Sequence, residues 1–219
     1  MAHITVVTST IGRPSLLKLA ESLSVQGVRT VHLVLWDKKR LPDGVVPDDP
    51  RMAAHANADY SIFHYVVDHE LALKPGERID NHLRAVGVAM STTERVAMID
   101  DDCWVEPGWF LRALGSECDY CYCRRALWES ETLRLGVDTY ESLGHTNAFG
   151  YALIDMNTLV FRNMKAFLVT EICNNNNYVI DRHLATRLAD FGGTRFFDVG
   201  INQISPDFLL EFHKAHIKQ

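Results

Sequence analysis

The chain lacks the marks of several functional classes. Basic residues are in deficit: 22 Lys and Arg stand against 28 Asp and Glu, for a net charge of -6 at pH 7. A general nucleic-acid binder needs a basic surface to release counterions from phosphates, so the balance argues against that class. No apolar run approaches the ~18–20 residues of a membrane span. The start enters an apolar strand at once ("HITVVTST"), without the basic segment, apolar core and small-residue cleavage site of a secretory signal. Cysteines are few and odd in number, at five. Cys118, Cys121 and Cys123 have no partner C-x-x-C to complete a zinc pattern, and read as reduced thiols packed as small apolar groups. The expectation is a cytoplasmic protein, with peripheral attachment to a membrane left open.

What is present is an ordinary globular composition. The chain has 219 residues, 47% hydrophobic and 23% charged, enough for one sizeable core and a single domain spanning residues 1–219. Ile4, Thr5, Val6, Val7 and Thr8 read as a strand buried on both faces, as in a parallel sheet. Gly12-Arg13-Pro14 breaks it, Ser15 is placed to cap a helix carrying Leu16, Leu19, Ala20 and Leu23, and Gly27 ends that helix. "VHLVLWD" at 31–37 is a second strand, so the opening is a right-handed β-α-β unit. Residues 38–59 read as irregular and 61–68 as a strand. Asp80 is placed to cap a helix with Leu83, Val86 and Met90 on its apolar side.

"RVAMID" is the next strand, and a helix carrying Trp109, Phe110 and Leu114 follows Pro107. Further on, "YCYC", "YALIDMNTLVF" and "TRFFDVG" read as strands and Asn174 to Asn177 as a polar loop. "YVIDRHLATRLADFGG" reads as an amphipathic helix with Ile180, Leu184, Leu188 and Phe191 in line, and "SPDFLLEFHKAHI" as a last helix. The alternation is that of an α/β fold.

An open α/β sheet binds ligands beyond the carboxyl ends of its strands. The loop after the first strand, "TSTIGRPS", holds neither G-x-G-x-x-G nor G-x-x-x-x-G-K-[ST]. Both glycine-rich ways of wrapping backbone N–H groups around phosphate are therefore missing. A bound diphosphate would need another neutralising group, and Asp100, Asp101 and Asp102 offer the hard oxygen ligands of a cation. On an extended segment Asp100 and Asp102 point one way and Asp101 the other. Their mutual repulsion reverses sign when a divalent ion binds, and oxygen donors suit Mg²⁺ or Mn²⁺.

These stretches together resemble a known family. "ITVVTSTIGRPSLLKLAESLSVQ", "ERVAMIDDDCWVEPGWFLRAL" and "YVIDRHLATRLADFGG" are similar, in that order, to the first strand and helix, the D-x-D segment and the base-carrying helix of GT-A glycosyltransferases of the family-2 type. The resemblance implies a Rossmann-like, mostly parallel sheet flanked by helices. About 1–102 would bind the nucleotide and about 103–219 would serve the acceptor. Thr8, Ser9, Thr10 and Arg13 would contact nucleotide, and Asp37 would read the uracil edge. Arg78, Asn81 and Arg84 would face the nucleotide from the next helix. Asp100 would meet ribose or metal, Asp101 would lie beside the nucleotide, Asp102 would bind metal, and Asp181 would be the general base. His213 is a candidate third metal ligand and His145 a candidate acceptor contact, while Trp104 and Trp109 divide between sugar stacking and core. Three positions depart from the pattern. Ala85 stands two residues before Gly87 where Asn is usual, Ile180 precedes Asp181 where Glu is usual, and "WDKKR" replaces an acidic run after the second strand.

The expected activity is metal-dependent transfer of a sugar from a UDP-sugar to a hydroxyl acceptor on a glycan, lipid or small molecule, with inversion. Two alternatives stand beside it: a nucleotide-sugar-binding sensor without transfer, and a sugar-phosphate nucleotidyltransferase.

Overall fold

Strand β1 (Ile4–Thr10) is buried at every position, as its β-branched sequence requires of a strand covered on both sides. In the computed structural model, residues 3–43, 47, 49–68, 78–139, 155–162, 164–174, 180–188 and 194–218 are described. β1 pairs in parallel with β2 (Thr30–Asp37) and with β4 (Arg95–Met98), and β2 with β3 (Tyr60–Val67). α1 (Leu16–Ser24) joins β1 to β2, and a short α2 (Pro50–Ala53) precedes β3. Ser15 sits at the N-cap of α1, but its side chain makes no capping bond. Backbone bonds from Leu16 to Arg13 and from Leu17 to Pro14 close the turn instead.

α3 (Ile79–Met90) corrects its expected face. Ile79, Leu83 and Val88 are buried, whereas Val86 and Met90 are exposed, and Arg78 rather than Asp80 is at the N-cap. Gly87 sets that rotation: a Cβ there would lie 2.3 Å from the Val7 side chain, so the helix backbone sits directly on β1.

The second half is less regular than the first. After β5 (Cys103–Val105) and α4 (Trp109–Leu114) come β6 (Tyr120–Trp128), β7 (Arg134–Asp138) and β8 (Leu159–Arg162). α5 (Lys165–Asn174), α6 (Ile180–Leu188), β9 (Thr194–Ile204), α7 (Leu210–Ala215) and β10 (Ile217–Lys218) follow. β8 is antiparallel to both β4 and β6, and β9 runs parallel to β6 while pairing antiparallel with β5. Among the described residues β1, β2, β3, β4, β6, β9 and β10 thus point one way and β5, β7 and β8 the other. The sheet is mostly parallel in direction, and helices cover both faces. α1 and α4 pack with Val6, Val34 and Trp36, while α3, α5 and α6 pack with Val7, Leu33 and Leu35. Trp109 and three of the cysteines (103, 121 and 123) are core residues of the first cluster. No helix among the described residues is long and apolar enough to cross a membrane.

Candidate functional site

The acidic run stands where β4 ends beside β1. Ile99 still donates to the Val7 carbonyl, and then the chain turns sharply, with the Cys103 N–H on the Asp100 carbonyl at 3.1 Å. The extended alternation expected of the three carboxylates is therefore replaced by a turn. All three line one cavity of about 210 Å³, with Ser9, Thr10 and Arg13 from the β1 loop and Arg40, Arg78, Asp80 and Arg84 opposite. Gln203 near the end of β9 and Pro206 just beyond that strand complete the lining.

Each aspartate has a different environment. Asp101 is buried; it accepts from Thr10 Oγ1 and from the Arg13 guanidinium, both at 2.6 Å. Burial raises its pKa, only partly opposed by Arg13 and Thr10. Asp100 accepts from Arg84 and, at 3.1 Å, from the Asn157 amide. Burial pushes this carboxyl up, but Arg84, Asn157 and Arg13 outweigh it and hold it below the usual range. Asp102 has the weakest partners: the Cys103 thiol at 3.4 Å and Arg13 at 3.5 Å. Burial, then the charges of Asp100 and Asp101, push its pKa up to about 7 against the pull of Arg13. It is the carboxylate of the three whose charge the protein compensates least.

A second cavity of about 170 Å³ adjoins the first through Arg78, Arg84 and Asp100, and brings in Asn81, Asp155, Asn157 and Asp181. Asp181 lies in the first turn of α6, where the helix dipole favours a carboxylate. The Asn81 side-chain Oδ1 accepts from Arg84 at 2.9 Å, so α3 fixes the guanidinium before it meets Asp100.

Other expected residues lie elsewhere. Thr8 is fully buried and bonds His32, which also bonds the Tyr60 hydroxyl. It lies two residues before the end of β1 with its hydroxyl on His32, and lines neither cavity. Asp37 is buried too and does not line the cavity; it accepts from the Lys39 N–H and lies 3.9 Å from Arg40, which is 3.0 Å from Asp80. His213 is 3% exposed, bonded to Ser205, and absent from the lining. Burial, then Arg125, lower its pKa to about 4. Trp104 packs on Trp128, with Lys18 Nζ 3.5 Å above its ring, so its face is taken. His145, Phe191 and Asn175 to Asn177 lie outside the described residues.

The residues missed from the sequence buttress Asp100. Asp155 caps a 3-10 turn over Met156–Thr158, and Asn157 both donates to the Asp100 carboxylate and accepts from its N–H at 2.6 Å. Behind them Arg125, 2% exposed, bridges Asp155, Asp138 and Gln203. The polar Asp155-Met-Asn-Thr interruption of an apolar run was the available signal. Among the described residues no three His, Cys, Asp or Glu side chains are grouped to hold a metal by themselves. Asp100 and Asp102 still fit a hard cation, because Mg²⁺ commonly takes one or two carboxylates plus substrate phosphates and waters.

No family model matches the chain, and no curated protein matches it in sequence. Solved structures do match. S. aureus TarS has a TM-score of 0.60 at 12% identity, covering 93% of this chain and 37% of that one. S. aureus TarS 1-349 in complex with UDP-GlcNAc has a TM-score of 0.59 at 12% identity, covering 94% and 59%. A putative glucose-1-phosphate thymidylyltransferase from Bacillus anthracis, in complex with a sucrose, has a TM-score of 0.54 at 8% identity, covering 98% and 94%. The chain thus spans 59% or less of these two TarS structures. The likeness is one of fold: a nucleotide-diphospho-sugar transferase-like α/β fold of the GT-A type.

Proposed function

We propose that the chain is a cytoplasmic, metal-dependent glycosyltransferase that moves a sugar from a UDP-sugar to a hydroxyl acceptor with inversion. The observation that carries this reading is the adjacency of the two cavities. The acidic turn at the carboxyl end of β4 lines one and Asp181 lines the other, and Arg78, Arg84 and Asp100 line both. Residues before the turn would hold the nucleotide and those after it would face the acceptor.

Ser9, Thr10 and the α3 side would receive the nucleoside, and Arg13 and Arg84 would approach the diphosphate. Asp102, with Asp100, would hold Mn²⁺ or Mg²⁺. A bound divalent ion would stabilise the negative charge that develops on the departing diphosphate. Asp181 would take the acceptor hydroxyl proton as the new C–O bond forms and the bond to UDP breaks. A single base acting on the face opposite the leaving group inverts the anomeric centre.

UDP release from a panel of UDP-sugars, with Mn²⁺ and simple hydroxyl acceptors, tests the reading. Asp181→Ala should keep UDP binding and lose turnover by about 10²–10⁴-fold, the usual contribution of a general base. Tight UDP binding without turnover across the panel would make the chain a sensor. No UDP binding at all would sink both readings.

A further inference from the structure

Gln203 stands on β9 where that strand is paired on both sides, opposite Cys103 of β5 and Leu127 of β6. A side chain on such a strand is held more firmly than one on a loop. Gln203 is 8% exposed, and it lines the cavity that holds the acidic turn. The Ile204 N–H donates to the Asp102 carbonyl at 3.1 Å, which sets this part of β9 beside the least compensated carboxylate.

The Gln203 amide can face only one way. Arg125 donates to its Oε1 at 2.6 Å, and a guanidinium accepts nothing, so oxygen and nitrogen cannot exchange places. With Oε1 turned to the buried Arg125, Nε2 is the end presented to the cavity. Its two N–H groups have no partner among the described residues, an uncommon state for a side chain more than nine-tenths buried. Arg125 is itself held by Asp138 at 2.8 Å and by Asp155, so it does not release the amide. A cation on the oxygen also polarises the amide and strengthens its N–H groups as donors.

A fixed donor selects its ligand. A sugar hydroxyl both donates and accepts, so either end of an amide serves it. A phosphate oxygen only accepts, and an amide turned the other way would repel it. Holding the amide as a donor therefore matters for an anion. Other donors in the cavity are committed to carboxylates, Thr10 to Asp101 and Arg84 to Asp100. We infer that Gln203 Nε2–H donates to a phosphate oxygen of the UDP diphosphate, and that Arg125 is the positioning residue that keeps the amide a donor. The inference rests on the proposed binding of UDP in this cavity and names a contact within it.

Calorimetric titration of UDP and of uridine, each with Mg²⁺, into the wild-type chain, Gln203→Met and Gln203→Glu reads the contact. Gln203→Met removes the donors at similar length and should weaken UDP binding by about tenfold or more, the usual worth of a hydrogen bond to a charged group. Gln203→Glu keeps an acceptor for Arg125 but sets a negative charge where the N–H groups were, and should weaken UDP further. Uridine should bind all three alike. In ¹⁵N spectra of the wild type, the Gln203 side-chain NH₂ pair, identified by its loss in either variant, should move with UDP and stay still with uridine. Arg125→Lys, which keeps the charge but not the fork, should shrink that shift, and an undiminished shift would overturn the positioning role. A wild-type chain that binds no UDP would overturn the proposed function and this inference with it. UDP bound equally by wild type and both Gln203 variants would overturn the inference alone. So would equal losses of UDP and uridine, or a loss seen with UDP-sugars but not with UDP.

Discussion

The two halves of the molecule hold the same acidic turn by different means. On the side of β1 and α3 the holding groups are arginines at the cleft. Arg13, with a side chain 49% exposed, reaches Asp101 and Asp102, and Arg84 reaches Asp100. On the side of β6 to β9 the support is a buried chain in which Arg125 and Asp138 are each 2% exposed and act on Asp100 through Asp155 and Asn157. The half-exposed Arg13 can turn to an incoming phosphate, whereas Arg84, whose side chain is 12% exposed, and the buried Arg125 are held on their carboxylates. Arg13 is therefore the responsive part of the first wall, and the second wall is fixed.

The largest effect should come from breaking the fixed wall. Arg125→Met leaves Asp138 and Asp155 without their shared cation and should cost about 3–5 kcal/mol in denaturant unfolding; a loss under about 1 kcal/mol would mean this side is not rigid. Gly87→Ala should cost about 1–3 kcal/mol through overpacking, because its Cβ would overlap Val7 and lift α3 with Arg84 off β1. Val7→Ala in the same chain should recover part of that loss.

A pH effect belongs to the first half. Burial, then His64, lower the His32 pKa from 6.5 to about 3. The native state therefore binds fewer protons than the unfolded chain between these values, and stability falls as pH drops through that window. The slope is about 1.4 kcal/mol per pH unit, or about 2 kcal/mol by pH 5. His32→Gln should flatten this part of the stability curve, and an unchanged slope would contradict the assignment. Smallest is Asn157→Ala, at about 1–2 kcal/mol of stability, together with weaker UDP binding. Arg13→Gln should weaken UDP binding more than it changes stability, which is the contrast between the two walls.

The same contrast explains what the sequence made legible. β1, α1, β2 and the strand before the acidic turn announce themselves through β-branched runs and 3.6-residue spacing, which are local signals. The aspartates were legible because charge after an apolar strand is conspicuous. The orientation of α3 was not, since Val86 and Met90 satisfy helical spacing and only the contact of Gly87 with Val7 decides the face. Thr8 reads as the end of the first strand beside the nucleotide, but its bond to His32 is a contact between strands. Asn157 and Arg125 reach the site through partners 57 and 30 positions away in sequence, Asp100 and Asp155 respectively. Periodicity carries no information about such pairs.

Calorimetric titration of UDP into the wild-type chain and Asp102→Asn, each with Mn²⁺ and with chelator, tests the central claim most directly. The account predicts that wild-type affinity rises with Mn²⁺, and that Asp102→Asn binds with one weak affinity in both conditions. Equal affinities for wild type and Asp102→Asn in Mn²⁺ would contradict it.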